Sequence, residues 1–159
     1  MVSRVIAAPV EAVWRYFVDP ARRSEWVSDV VNVTIVDEST SGPRWRESYR
    51  TGHRGAPTEA ELQLTVLERG RSCRVGLAGR GTVPHRVYAF TPIEVGPDRG
   101  GTVVTAVDDR SGLVVDRLFD LVAGGFMARM VEGAVRKELD ALAAACTTRV
   151  VVLSSGSAA

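Results

Sequence analysis

A chain of 159 residues, 45% hydrophobic and 25% charged, suffices for one domain with a single core; folding at that size buries about 68–70% of the unfolded surface. A formal net charge of +1, with arginines spread along the whole chain, excludes the clustered basic face that a nucleic-acid partner requires. No charge-free run approaches the roughly 20 apolar residues that span a bilayer. No basic segment with an apolar stretch behind it marks a signal peptide, so a cytoplasmic location is expected.

Val2 to Ala7 is short and partly apolar, and is expected to form a strand. Ala8-Pro9-Val10-Glu11 then opens a helix, with Pro9 at a position whose missing N–H needs no partner. Val10, Val13, Trp14 and Phe17 follow at helical spacing over about ten residues. Asp19-Pro20 repeats the device: Asp19 caps and Pro20 starts a second short helix through Glu25, closed by Trp26.

From Val30 the period changes to two. Val31, Val33 and Ile35 run to the turn cluster at Asp37 to Pro43. In the next strand, Arg44 to Thr51, one face carries Trp45, Glu47 and Tyr49. Glu59 to Leu67 alternates, with Leu62, Leu64 and Val66 on one side. Ser72 to Ala78 puts Cys73, Val75 and Leu77 in phase. Val83 to Ile93 and Thr102 to Asp108 flank the turn at Gly96 to Gly101. Successive strands with short turns predict an antiparallel meander with one solvated face.

Leu113 to Cys146 changes period again. Phe119, Val122, Phe126, Met130 and Ala134 share one side of a helix, widened by Val131, Val135, Leu139 and Leu142. About 30 residues at about 1.5 Å each give a rod roughly 45 Å long, which needs a curved sheet to cover its apolar side. Gly124, Gly125 and Gly133 each cost about 1 kcal/mol relative to Ala in a helix interior. With Met127 and Met130, they predict that Gly124 to Ala134 is an underfilled pocket wall, while Val135 to Leu142 packs conventionally. Residues 1–146 are expected to form one domain, with 147–159 a flexible C-terminal tail.

The fold class is therefore α+β: about seven antiparallel strands curved around a long C-terminal helix, with two short helices after the first strand. That order resembles the SRPBCC (START-like, helix-grip) superfamily. Its most specific residues are Val5-Ile6-Ala7-Ala8-Pro9-Val10-Glu11-Ala12-Val13-Trp14, then Asp19-Pro20 and Trp26, which are similar to the opening of the polyketide cyclase/dehydrase-like branch. Gly42-Pro43-Arg44-Trp45 and the final helix continue the likeness through about residue 146. The resemblance implies a single-domain protein with a ligand cavity between sheet and helix. The opening residues themselves cap helices and pack the sheet, and carry no chemistry.

The candidate chemistry lies on the faces that point at the long helix. The chain has no nucleophile elbow, no phosphate-binding glycine loop and no zinc spacing. His53 and His85 lack companion ligands, so neither a metal nor a cofactor is expected. Cys73 and Cys146 stand far apart and read as buried small hydrophobes, and Trp14 and Trp26 as core. Glu47, between Trp45 and Tyr49, would be costly to desolvate unless paired. With Phe90 opposite Val104, Tyr88 faces Ala106 and Arg86 faces Asp108. This Arg–Asp pair is either a satisfied ion pair or an anchor for a ligand carboxylate or carbonyl.

Two functions fit such a pocket. The first is binding of a small, largely hydrophobic molecule of polyketide, aromatic or lipid type. Glu47, Tyr49, Arg86, Tyr88 and Asp108 would orient it, and Trp45, Phe90, Phe126 and Met130 would line the cavity. The alternative is a polyketide cyclase/aromatase or dehydratase in which Glu47 is general acid or base and Arg86 holds an enolate or carboxylate. Partners are then a small hydrophobic molecule and at most a second copy, as monomer or homodimer. There is no exposed apolar stripe to favour a protein-binding adaptor.

Overall fold

The computed structural model describes residues 1–39, 42–50, 58–78, 85–109, 129 and 131–148. Strand β1 (Val2–Ile6) leads into helix α1 (Val10–Val18), a 3-10 turn (Pro20–Arg22) and helix α2 (Arg23–Trp26). Strands β2 (Val30–Ser39), β3 (Gly42–Tyr49), β4 (Thr58–Glu68), β5 (Ser72–Leu77), β6 (His85–Pro92) and β7 (Thr102–Asp109) follow. Residues 131–148 form the C-terminal helix, α3.

Local chemistry explains the opening. Pro9 is extended (φ −59°, ψ 146°) and sits one residue before α1, as its cap rather than its first residue. Asp19 behaves as expected of a cap: its carboxylate accepts a hydrogen bond from the Ala21 N–H at 3.1 Å, and Pro20 begins the next turn. Val13, Trp14, Tyr16 and Phe17 are the buried residues of α1.

The seven strands form one curved antiparallel sheet in the order β1-β7-β6-β5-β4-β3-β2. From β2 to β7 each strand lies beside the next one in the chain, and β1, followed by α1 and α2, lies at the far edge beside β7. Trp45 pairs with Leu62, Leu62 with Leu77, Cys73 with Tyr88, and Tyr88 with Ala106. Because side chains alternate, that register places Trp45, Glu47, Tyr49, Leu62, Leu64, Cys73, Val75, Arg86, Tyr88, Phe90, Val104, Ala106 and Asp108 on one face.

Helix α3 lies against this face. Its Val135, Leu139, Leu142 and Cys146 join Trp14, Phe17, Trp26, Trp45, Leu64, Phe90 and Val104 in one core. Arg4 of β1 and Asp140 of α3 hold the edge with a half-exposed ion pair at 2.9 Å. Phe17 packs on Trp26, Tyr88 and Phe90 at ring separations of 4.6–5.3 Å, tying α1 to the sheet. Cys73 and Cys146 are free and buried.

One expectation about α3 is corrected. Gly133 and Ala134 are exposed, and a Cβ at Gly133 would meet nothing within 4 Å. The face turned to the sheet runs through 131, 135, 138, 139 and 142, so 133 and 134 point away from it. Gly133 is therefore no part of a pocket wall. Phe119, Val122, Gly124, Gly125, Phe126, Met127 and Met130 lie outside the described residues, as does most of the 147–159 segment. Thr147 and Thr148 continue the helix, their hydroxyls donating to the Ala143 and Ala144 carbonyls. Among the described residues, no helix is long and apolar enough to cross a membrane.

Candidate functional site

Between the inner face of the sheet, α2 and α3 lies a cavity of about 410 Å³. Its apolar walls are Val27 after α2, Leu62 on β4, Val75 and Leu77 on β5, and Val131 on α3. Its polar lining is Arg23, Tyr49, Arg86, Tyr88, Asp108 and Glu138, with Gly76 and His85 at the margin. The described pairing of β5 with β6 ends at Val75↔Arg86, and Gly76 and His85 lie just beyond. A Cβ at Gly76 would fall 2.0 Å from His85 Nδ1, so the ring lies where only a glycine leaves room.

Behind one wall sits the most buried acid of the described chain. Glu47 is 0% exposed. Its Oε1 accepts from Arg23 Nε at 2.5 Å and from Trp45 Nε1 at 2.8 Å, and its Oε2 accepts from the Tyr49 hydroxyl at 2.6 Å. Trp45 and Tyr49 reach it because β3 turns all three side chains the same way. Arg23 arrives from α2, 7% exposed, with its guanidinium 4.7 Å from the Trp26 ring and 5.7 Å from the Trp45 ring. Burial alone would lower the Arg23 pKa, but Glu47 and then Glu138 more than offset that, and the pKa is raised.

A second cluster faces the cavity. Arg86 Nε donates to Asp108 Oδ1 at 2.7 Å, and Arg86 Nη1 donates to Glu138 Oε2 at 3.2 Å. The Tyr88 hydroxyl donates to Glu138 Oε1 at 3.4 Å, and Arg23 Nη1 lies 3.8 Å from the same oxygen. Glu138 thus links the two clusters into one network. Burial, then Glu138, pushes the Tyr88 hydroxyl above its ordinary range. Burial, then the hydrogen bond to Glu47, does the same for Tyr49.

The expected site residues separate accordingly. Tyr49, Arg86, Tyr88 and Asp108 border the cavity together, and the register Phe90↔Val104, Tyr88↔Ala106, Arg86↔Asp108 is the one observed. Trp45, Glu47 and Phe90 are inward and buried but stand behind the lining, in closed packing. Phe126 and Met130 lie outside the described residues. Arg23 and Glu138 escaped the sequence reading. Glu138 left a signal, since it falls on the apolar stripe of α3 at the spacing of Val131, Val135 and Leu142. Arg23, on a four-residue helix, left none. Among the described residues, no three His, Cys, Asp or Glu side chains converge to hold a metal.

A sheet gripping a C-terminal helix, with a partly polar cavity between them, defines a protein of the helix-grip fold. More narrowly, the chain belongs to the family described as polyketide cyclase/dehydrase and lipid transport, which it matches over residues 1–147. No curated protein matches it in sequence. Among solved structures, a protein of Thermus thermophilus is similar at 17% identity and a TM-score of 0.65, over 93% of this chain and 96% of the other. The di-domain ARO/CYC StfQ of the steffimycin biosynthetic pathway is similar at 16% identity and a TM-score of 0.67, over 94% of this chain and 50% of that one. A START superfamily protein of Mycobacterium smegmatis is similar at 20% identity and a TM-score of 0.60, over 96% and 97%. At these identities the likeness concerns the fold.

Proposed function

We propose that this protein binds a small, largely hydrophobic molecule of the polyketide, aromatic or lipid kind in the cavity between sheet and α3. The observation that carries the reading is the cavity itself: about 410 Å³, with aliphatic walls and a few convergent polar groups. Small-molecule sites usually occupy about 300–1,000 Å³ and share that division between apolar wall and sparse polar anchor. The domain of residues 1–146 acts in this reading as a monomer or homodimer in the cytoplasm, where two unpaired buried thiols are at home.

The test is saturable binding of Nile red, alongside native mass spectrometry of the freshly purified protein for a co-purified small molecule. Val75→Trp, which fills the cavity from β5, is expected to weaken Nile red binding by about tenfold or more while the chain stays folded. Absence of saturable binding, or binding untouched by Val75→Trp, overturns the reading.

One contact favours a second reading, cyclisation or dehydration. The Tyr49 hydroxyl borders the cavity and is hydrogen-bonded to Glu47 at 2.6 Å. Glu47, which does not border the cavity, would act as acid or base on a bound substrate by way of that hydroxyl. Glu47→Gln and Tyr49→Phe should then each abolish turnover of a poly-β-ketone while binding is weakened only slightly. Turnover that survives Glu47→Gln rules this reading out.

A further inference from the structure

Hydrogen-bond direction and charge inside the cavity restrict what it accepts. The two phenols on its lining have their protons committed: Tyr49 donates to Glu47 at 2.6 Å and Tyr88 to Glu138 at 3.4 Å. What each hydroxyl offers a ligand is a lone pair. The two guanidiniums are matched as well. Arg23 lies against Glu47 and Glu138, and Arg86 lies against Asp108 and Glu138. This network therefore sets three carboxylates against two cations. Asp108 uses one oxygen on Arg86, and among the described residues its Oδ2 has no partner. The side chains of Asp108 and Glu138 remain 29% and 15% exposed, so both are reachable from the cavity.

We infer that the cavity selects a ligand whose polar end is a hydrogen-bond donor, a protonated amine above all, and that it rejects carboxylates. The inference rests on the ligand-binding reading and names its substrate class. It also changes the role first expected for Arg86. Held by two carboxylates, Arg86 has little net charge to offer an acid, and it serves to position Asp108 and Glu138. A ligand carboxylate would add a fourth negative charge beside two guanidiniums. A cation brings the count of opposite charges to three and three, in surroundings less screened than bulk water.

The experiment compares three ligands on one skeleton, naphthylmethylamine, naphthylmethanol and naphthoate of the same ring position, by calorimetry on the full chain near neutral pH. The amine is expected to bind at least about tenfold more tightly than naphthoate, with the alcohol between them. Asp108→Asn should remove most of the amine's advantage over the alcohol, read as the ratio of their two affinities in the variant against the same ratio in the parent chain. A thermal unfolding transition by circular dichroism like that of the parent chain reports that the variant is folded. Naphthoate binding as tightly as the amine, or an amine preference untouched by Asp108→Asn, overturns the inference and leaves the cavity reading standing. Failure of all three ligands to bind, together with Nile red, overturns both.

Discussion

At the scale of single residues, Arg23 and Glu47 decide whether the inner face can be closed. A carboxylate with no exposed surface is tolerable only because one guanidinium, one indole N–H and one phenol converge on it. The two partners are not equivalent. Arg23→Met leaves Glu47 as an uncompensated buried charge, and such a loss costs about 3–5 kcal/mol. Glu47→Gln keeps the shape and leaves Arg23 with Glu138, so its cost should be about 1–3 kcal/mol. Equilibrium urea denaturation of both variants checks the order. A Glu47→Gln chain less stable than Arg23→Met would show that the carboxylate, and not the guanidinium, is the better supported of the pair. Sequence alternation alone placed Trp45, Glu47 and Tyr49 on one face. It could not supply Arg23, because nothing local tells a four-residue helix which strand it will meet.

At the scale of elements, two glycines act with opposite sign. Gly42 starts β3 at φ +126°, and a Cβ there would fall 2.0 Å from the Leu64 carbonyl oxygen of β4. Only glycine combines that backbone with so close an approach, and Gly42→Ala should cost about 1–3 kcal/mol from backbone strain before any displacement of β4. Gly133 sits on the solvent side of α3 with open space around it. Gly133→Ala should therefore stabilise the protein by about 1 kcal/mol, and raise Tm, through helix propensity alone. Thermal unfolding followed by far-ultraviolet circular dichroism measures both. A fall in Tm for Gly133→Ala would restore Gly133 to the packed face. The apolar period of this helix was legible in the sequence, but its absolute rotation was not. Glu138 shows why: a carboxylate on an apolar stripe reads as an interruption until Arg23, Arg86 and Tyr88 are seen to face it.

At the scale of the whole molecule, the three tyrosines of the chain, Tyr16, Tyr49 and Tyr88, all have their ionisation pushed up, first by burial and then by neighbouring carboxylates. The sign of the linkage follows. Between an unfolded phenol pKa of about 10 and the higher folded values, the folded chain holds protons that the unfolded chain has released. This stabilisation is fully present below about pH 10 and is lost as pH rises toward and through the folded values. Absorbance near 295 nm should accordingly show no phenolate in the folded protein at about pH 10.5, and an ordinary titration near pH 10 in concentrated urea. A folded-state titration near pH 10 would mean that at least one of these hydroxyls is open to solvent and free of its carboxylate.

Local patterns were enough for the order of the elements. Pro9, Asp19 and Pro20 punctuate the opening, the period of two in Glu59 to Leu67 makes a half-buried strand, and the 3.6 period near Val135 to Leu142 makes the helix. These signals arise from contacts within a few residues, so one sequence contains them. The register of β6 on β7 was within reach as well, because apolar Phe90 and Val104 must share the buried face. What tertiary structure alone decided is which inward side chains meet a cavity and which meet closed core. Trp45, Glu47 and Phe90 point the same way as Tyr49 and Tyr88, yet they end behind the lining. The difference lies in how the curved sheet, α2 and α3 close over one part of that face and stand apart over another, and no alternation along a strand records the separation between elements distant in the chain.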